Sequence, residues 1–367
     1  MNQVSSTVPP RGDWPIGGMI EQQRPADKGL SPVCADLSRR VRGYLDQVAD
    51  ARARWLFHEQ PPACGDGSSD AENVETLAWA VTCLTQIGSI DRLNAIGPAA
   101  VAAIEGFFDP QLELYQRAED QYKPVGSWRL HNDSVCRDAL RMLGATPRPW
   151  PRDDRLLEQM PWAPAADEDV HAWCKTRWRR GPRRATKELF QFLVLALGRH
   201  HVGPGDPWLA DALAAYRFLE DKRDPRTGLI GMGDGVRCGD AMRGYRNMVI
   251  NIHWPHGIDE PAWALPRLID TTLATQRDDG LFDDGGMCAN MDAVQLLVEY
   301  ALRTGHRKDD VRSAIDRCTT AIVRDLSHPS GGIHFLHPQN AEPDHSLRLT
   351  NGTAFWLHTL RFAQAMH

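Results

Sequence analysis

Asp279-Gly280-Leu281-Phe282 is the stretch on which the reading of the fold turns. A glycine between an acid and two large apolar residues reads as a tight turn, because glycine enters the left-handed backbone region freely. The pattern recurs upstream as Thr227-Gly228-Leu229-Ile230 and downstream as Gly331-Gly332-Ile333-His334. Gly228 to Gly280 is 52 residues, and Gly280 to Gly332 is again 52. A helical pattern precedes each turn, over 208–221, 261–276 and 311–325. A second helix follows the first two turns closely, over 240–252 and 292–303, and the third after a longer loop, over 351–365.

The unit can be followed upstream with looser spacing. Glu188-Leu-Phe-Gln-Phe-Leu-Val matches Asp292-Ala-Val-Gln-Leu-Leu-Val, and Asp133 and Glu75 take similar places. The polar residues that open the second helices are then Glu75, Asp133, Glu188, Asp240, Asp292 and Asn351, at steps of 58, 55, 52, 52 and 59. One helical hairpin cannot bury its apolar face alone, so stacked or ring-closed hairpins are the stable solution. In period and turn pattern the chain from about Arg39 onward resembles the (α/α)6 toroid of six-hairpin glycosidases, polysaccharide lyases, terpenoid cyclases and protein prenyltransferase subunits. The resemblance implies an all-α toroid over 36–367, with the Pro- and Gly-rich residues 1–35 as an irregular arm outside it. It implies architecture and leaves the chemistry open.

Composition narrows the class. The 367 residues are 42% hydrophobic and 25% charged, ordinary globular usage. No apolar run approaches the ~20 residues of a membrane helix, so the reading is a protein without membrane partners. Met1 to Pro10 lack the basic start and apolar core of a secretory signal, and the eight cysteines form no CxxC pair. Both features point to the cytoplasm. A net charge of -6 gives no overall attraction for nucleic acid. The sequence calls for no metal or cofactor: Cys238 with Asp240 and Cys288 with Asp292 lack structural-zinc spacing.

The second helices carry the candidate chemistry. Asp240, Arg243, Asn247 and Asn251 fall on one helical stripe, as do Asp292, Gln295 and Glu299. If these are inner helices, the stripes face the lumen and form a polar wall suited to a hydroxyl-rich ligand. Asp240, Asp292 and Asp133 are the candidate catalytic acids. Taken singly, each also suits an N-cap or first-turn position. Packed helices lie ~8–10 Å apart, which fits the ~6.5–9.5 Å carboxylate separation of an inverting glycosidase.

Arg237, Arg243, Arg246, Asn247, Asn251 and His253 are candidate ligand groups from the same unit, with Asp283, Asp284, Glu299 and His334 around the mouth. Tyr245 near Arg246, Asn247 and His253 also offers the residue types of a uronate lyase, although it points to the apolar side of its helix. A basic run, Lys175 to Lys187 with Arg179 and Arg180, suggests an anionic ligand. Trp128, Trp173 and Trp254, near turns, are candidate stacking faces for sugar rings.

Together these residues point to a glycoside hydrolase, or a lyase, acting on a small or oligomeric anionic saccharide in a central cleft. A terpenoid cyclase or prenyltransferase-like enzyme taking a prenyl diphosphate is the rival, although Asp278-Asp279-Gly-Leu-Phe-Asp283-Asp284 fits neither the DxDD nor the DDxxD pattern. A non-enzymatic helical-repeat binding protein is the third reading.

Overall fold

The computed structural model describes residues 32–49, 74–115, 127–148, 169–179, 185, 188–189, 192–193, 207–232, 236–249, 260–338 and 349–366. Eleven helices and one two-stranded sheet are found among them. In chain order they are α1 (Pro32–Val48), α2 (Val74–Gln86), α3 (Ile90–Gly106), β1 (Phe108–Asp109), β2 (Leu114–Tyr115), α4 (Ser127–Met142), α5 (Val170–Arg179), α6 (Pro207–Glu220), α7 (Cys238–Met248), α8 (Ala264–Ala274), α9 (Met287–Thr304), α10 (Lys308–Asp325) and α11 (Leu349–Gln364). No helix among the described residues is long and apolar enough to cross a membrane.

Two layers emerge from the packing. The second helices form a row in which α7 packs on α9, α9 on α11, α11 on α2 and α2 on α4. The first helices lie over the seams of that row: α3 touches α2 and α4, α8 touches α7 and α9, and α10 touches α9 and α11. Burial separates the layers. Every residue of α2 from Val74 to Leu84 is buried, as is every residue of α11 from Leu349 to Leu357. Outer helix α10 buries only Val311, Ala314, Ile315, Cys318, Ala321 and Ile322, the narrow stripe of a half-wetted helix. The contact of α11 with α2 brings the last hairpin onto the first. Tyr44 Oη lies 2.8 Å from Thr350 Oγ1, and Gly331 packs on the Arg40 carbonyl.

The structure keeps the repeated turn and corrects its position in one unit. The left-handed residues are Gly228 (φ 75), Gly280 (φ 94) and Gly331 (φ 96), so the third turn is shifted one residue from Gly332 and the second step is 51. Hydrogen bonding agrees: the Arg277 N–H donates to the Leu281 carbonyl, and the His328 N–H to the Gly332 carbonyl. Bridges Gln276–Phe282 and Ser327–Ile333 follow the same register. The β1–β2 hairpin is the corresponding turn of an earlier unit, with Glu113 (φ 55) at the left-handed position and Phe108 paired to Tyr115.

Three of these turns are latched to their inner helix in one way. The backbone N–H of Tyr115 donates to Asp133 Oδ1 (2.8 Å), that of Phe282 to Asn290 Oδ1 (2.8 Å) and that of Ile333 to Thr353 Oγ1 (3.0 Å). Asp133 is therefore the structural counterpart of Asn290 and Thr353, two residues out of register with Asp292.

Candidate functional site

Helix starts settle which acids can be caps. Met287 opens α9, five residues before the expected start, which places Asp292 in its second turn; Asp133 lies in the second turn of α4. Of the three candidate catalytic acids only Asp240 falls in a first turn, that of α7, where it favours the free amides and the helix dipole. Asp292 and Asp133 are thus interior residues of helices, and capping does not account for them.

All six opening residues are buried: Glu75, Asp133, Glu188, Asp240, Asp292 and Asn351. Their partners differ. Asp133 has no exposed surface, and besides the Tyr115 amide it takes Arg137 Nε at 2.6 Å. Burial pushes its carboxyl pKa up, and the Arg137 charge pulls it back. Both oxygens are engaged by structural donors, the Tyr115 amide and Arg137 Nε, so Asp133 serves as a turn anchor where a catalytic acid was expected. Glu188 pairs with Arg177 at 3.2 Å. Glu75 accepts from Trp79 Nε1 (3.2 Å) and from Asn351 Nδ2 (3.3 Å), tying α2 to α11.

The α7–α9 junction is different. The polar stripes of the two helices meet there, together with the 277–286 turn. Arg243 Nη2 lies 2.9 Å from Asp283 Oδ2, 3.0 Å from Asp284 Oδ2 and 3.3 Å from Asp240 Oδ1. Arg237, more than half exposed, reaches Asp240 Oδ2 at 3.3 Å and Asp283 Oδ1 at 3.6 Å. Arg246 Nε lies 2.8 Å from Gln295 Oε1 and 3.3 Å from Asp292 Oδ1. The carboxylate of Asp283 presses on Gly239, where an added Cβ would stand 2.1 Å from Asp283 Cγ. Asp283 itself holds a left-handed backbone at φ 49, which a non-glycine residue adopts at a cost. A strained aspartate seated on a helix start that only glycine allows is a built feature.

Asp292 is 5% exposed, and burial pushes its carboxyl up to about 6 against the opposing pull of Arg246 and Arg243. Cys288, one turn earlier, is pushed up to about 12 by burial and is a neutral, unreactive thiol. On α11, His358 is pushed down to about 3 by burial and by the nearby Arg246 and Arg361 charges, so it is neutral. The Nε–H of Arg243 is buried without an acceptor. Among the described residues no group of three or more His, Cys, Asp and Glu side chains is placed to hold a metal ion.

No protein-family model matches the chain, and no curated protein matches it either.

The structure thus gathers Asp240, Asp292, Arg237, Arg243, Arg246, Asp283 and Asp284 from the residues expected to act together. Trp173 is not a stacking face: it is 2% exposed and packs edge-on to Phe192 at 5.4 Å, with Arg177 over its ring. Arg179 is exposed at the end of α5. Glu299 lies two turns beyond Asp292 near Arg303 (3.9 Å), its carboxyl pushed up by burial. His334 is in the 327–338 loop, its ring edge-on to His328, in the turn position that Asp283 occupies one unit earlier. Tyr245 is fully buried on the far side of α7, 3.1 Å from Arg223 Nη1, with its hydroxyl pushed up to about 12 by burial. It faces the core as its sequence position implied. Asn251, His253, Trp254 and Arg180 lie outside the described residues, as do the side chains of Trp128 and Asn247. Sequence reasoning weighed Cys288 beside Asp292 only as a zinc pair, and missed His358 and the Asn290 and Thr353 latches; the only signal for the latches was a polar residue early in an otherwise apolar helix.

Proposed function

We propose that the chain is a carbohydrate-active enzyme, a glycoside hydrolase built on a closed ring of six helical hairpins, with Asp292 as its general acid. The observation that carries this reading is the buried carboxyl of Asp292, 5% exposed and 3.3 Å from Arg246 Nε at the α7–α9 junction, where burial pushes its pKa up to about 6. A proton donor for a glycosidic oxygen needs a raised proton affinity near its working pH, and burial supplies it. Asp240, between two guanidinium groups, is the partner carboxylate that takes the proton of the attacking water. The row α7–α9–α11–α2–α4, with last hairpin on first, supports ring closure.

The buried Nε–H of Arg243 without an acceptor suits a substrate oxygen or carboxylate, since a buried unpaired donor gains the full value of any acceptor brought to it. Four carboxylates face three guanidinium groups here, so the anionic preference rests on Arg237, whose exposed fork can reach a substrate carboxylate. Elimination has less support, because Tyr245, the proton-moving candidate for a lyase, is committed to Arg223 and Tyr300.

The test is a panel of neutral and uronate-containing oligosaccharides assayed for new reducing ends and for near-ultraviolet absorbance. Hydrolysis gives the first signal alone, and Asp292→Asn lowers it about 10²–10⁴-fold with Tm kept or raised. Absorbance from an unsaturated product, or turnover of a prenyl diphosphate with no saccharide cleaved, overturns the proposal.

A further inference from the structure

Arg246 offers a single Nε–H to the α7–α9 junction, and two acceptors compete for it. Gln295 Oε1 lies at 2.8 Å and Asp292 Oδ1 at 3.3 Å from that nitrogen. One hydrogen makes one well-aligned bond, and here the neutral amide has the short distance. Charge alone dictates the reverse order, because a guanidinium binds a carboxylate more strongly than an amide oxygen, at about 2.7–2.9 Å. Gln295 follows Asp292 by three residues on α9, so both side chains leave one stripe of the helix, and at 3% exposure Gln295 is buried with it.

We infer that Gln295 is a positioning residue: by taking the Nε–H of Arg246 it keeps that hydrogen off Asp292 and preserves Asp292 as a proton donor. A carboxylate that receives a short charge-assisted bond is held ionised, and an ionised Asp292 has no proton to give.

The other groups around Asp292 leave this role to Gln295. From α7, Arg243 is drawn away by Asp240, Asp283 and Asp284. On α9 itself the Cys288 thiol is neutral, and from α11 His358 is neutral beside Arg246. Helices α8 and α10 also pack on α9 or its neighbours, and none of their described charges is among those acting on Asp292. Arg246 is the cation whose placement sets the balance.

The inference rests on the hydrolase reading for its catalytic consequence alone; the proton affinity of Asp292 can be measured without substrate. Full-length protein labelled with ¹³C at aspartate carboxyls is titrated by NMR, with the Asp292 signal identified by its loss in Asp292→Asn. Gln295→Leu, or Gln295→Met if the first variant does not fold, frees the Nε–H. The Asp292 midpoint then falls by at least about one pH unit, a tenfold loss of proton affinity. Gln295→Glu supplies a replacement acceptor and holds or raises the midpoint.

A midpoint in Gln295→Leu or Gln295→Met indistinguishable from native, or an equal fall in Gln295→Glu, overturns the inference even if the protein cleaves saccharides. If saccharides are cleaved, the alkaline limb of kcat/KM moves with the NMR midpoint. If none is cleaved, the hydrolase reading falls while the titration still decides the role of Gln295.

Discussion

Two buried aspartates early in inner helices differ in what engages them. At the β1–β2 turn, Asp133 meets a backbone amide at 2.8 Å and a guanidinium at 2.6 Å. At the α7–α9 junction, the nearest cation to Asp292 stands at 3.3 Å and is shared with Gln295. Burial raises the proton affinity of both, so burial alone does not mark a reactive group. What separates them is saturation. A carboxylate whose oxygens are all engaged by short donors is part of the scaffold, and one held at longer range keeps a choice between two protonation states.

The largest expected effect tests that contrast from the reactive side. Asp292→Asn lowers saccharide hydrolysis about 10²–10⁴-fold, the worth of a general acid, with Tm kept or raised. Asp133→Ala does the opposite. It strands Arg137, 1% exposed, without its counter-charge and costs about 3–5 kcal/mol in denaturant unfolding, with activity lost only as the fold is lost. If the two variants behave alike, the distinction fails.

The pH dependence of stability sharpens the contrast. A carboxyl raised from its ordinary value to about 6 binds a proton more tightly folded than unfolded. Its stabilising contribution is complete below about pH 4, is lost as pH rises to about 6, and stays lost above that. A shift of about two units corresponds to about 3 kcal/mol. Chemical unfolding of native protein and Asp292→Asn from pH 4 to 7 should therefore show the variant gaining on the native chain by up to that amount. A constant difference across the range contradicts a raised Asp292.

Smaller effects probe the supports. Gly239→Ala forces the Asp283 carboxylate away and with it Arg243, costing about 1–3 kcal/mol and lowering kcat/KM more than Tm. Thr353→Val removes one turn latch and costs about 1 kcal/mol in thermal unfolding, without effect on activity.

The hairpin period was legible because its causes are local. Gly228 and Gly280 stand where the backbone must be left-handed, and the apolar pattern on either side has helical spacing. Gly331-Gly332 offered two candidates for one position, and only the φ angles separate them. Asp133 was misaligned for a similar reason: an acid near a helix start looks the same two residues either way. The grouping of Asp240 and Arg243 with Asp292 and Gln295 was legible as facing stripes, since helical periodicity places such residues on one side; Arg246, off that stripe, was legible only as a candidate ligand group of the same unit. Trp173 was not legible, because a tryptophan near a turn and a tryptophan in a core share one sequence signature.

The sequence by itself determined a repeated helix–turn–helix chain with polar residues at the starts of its buried helices, since backbone propensity and periodicity act over a few residues. Only the tertiary structure decided which of those polar residues are saturated and which are left with a choice. Saturation depends on donors brought from far along the chain, as Arg246 is to Asp292 and Tyr115 to Asp133, and on the exclusion of water that makes each tenth of an ångström count.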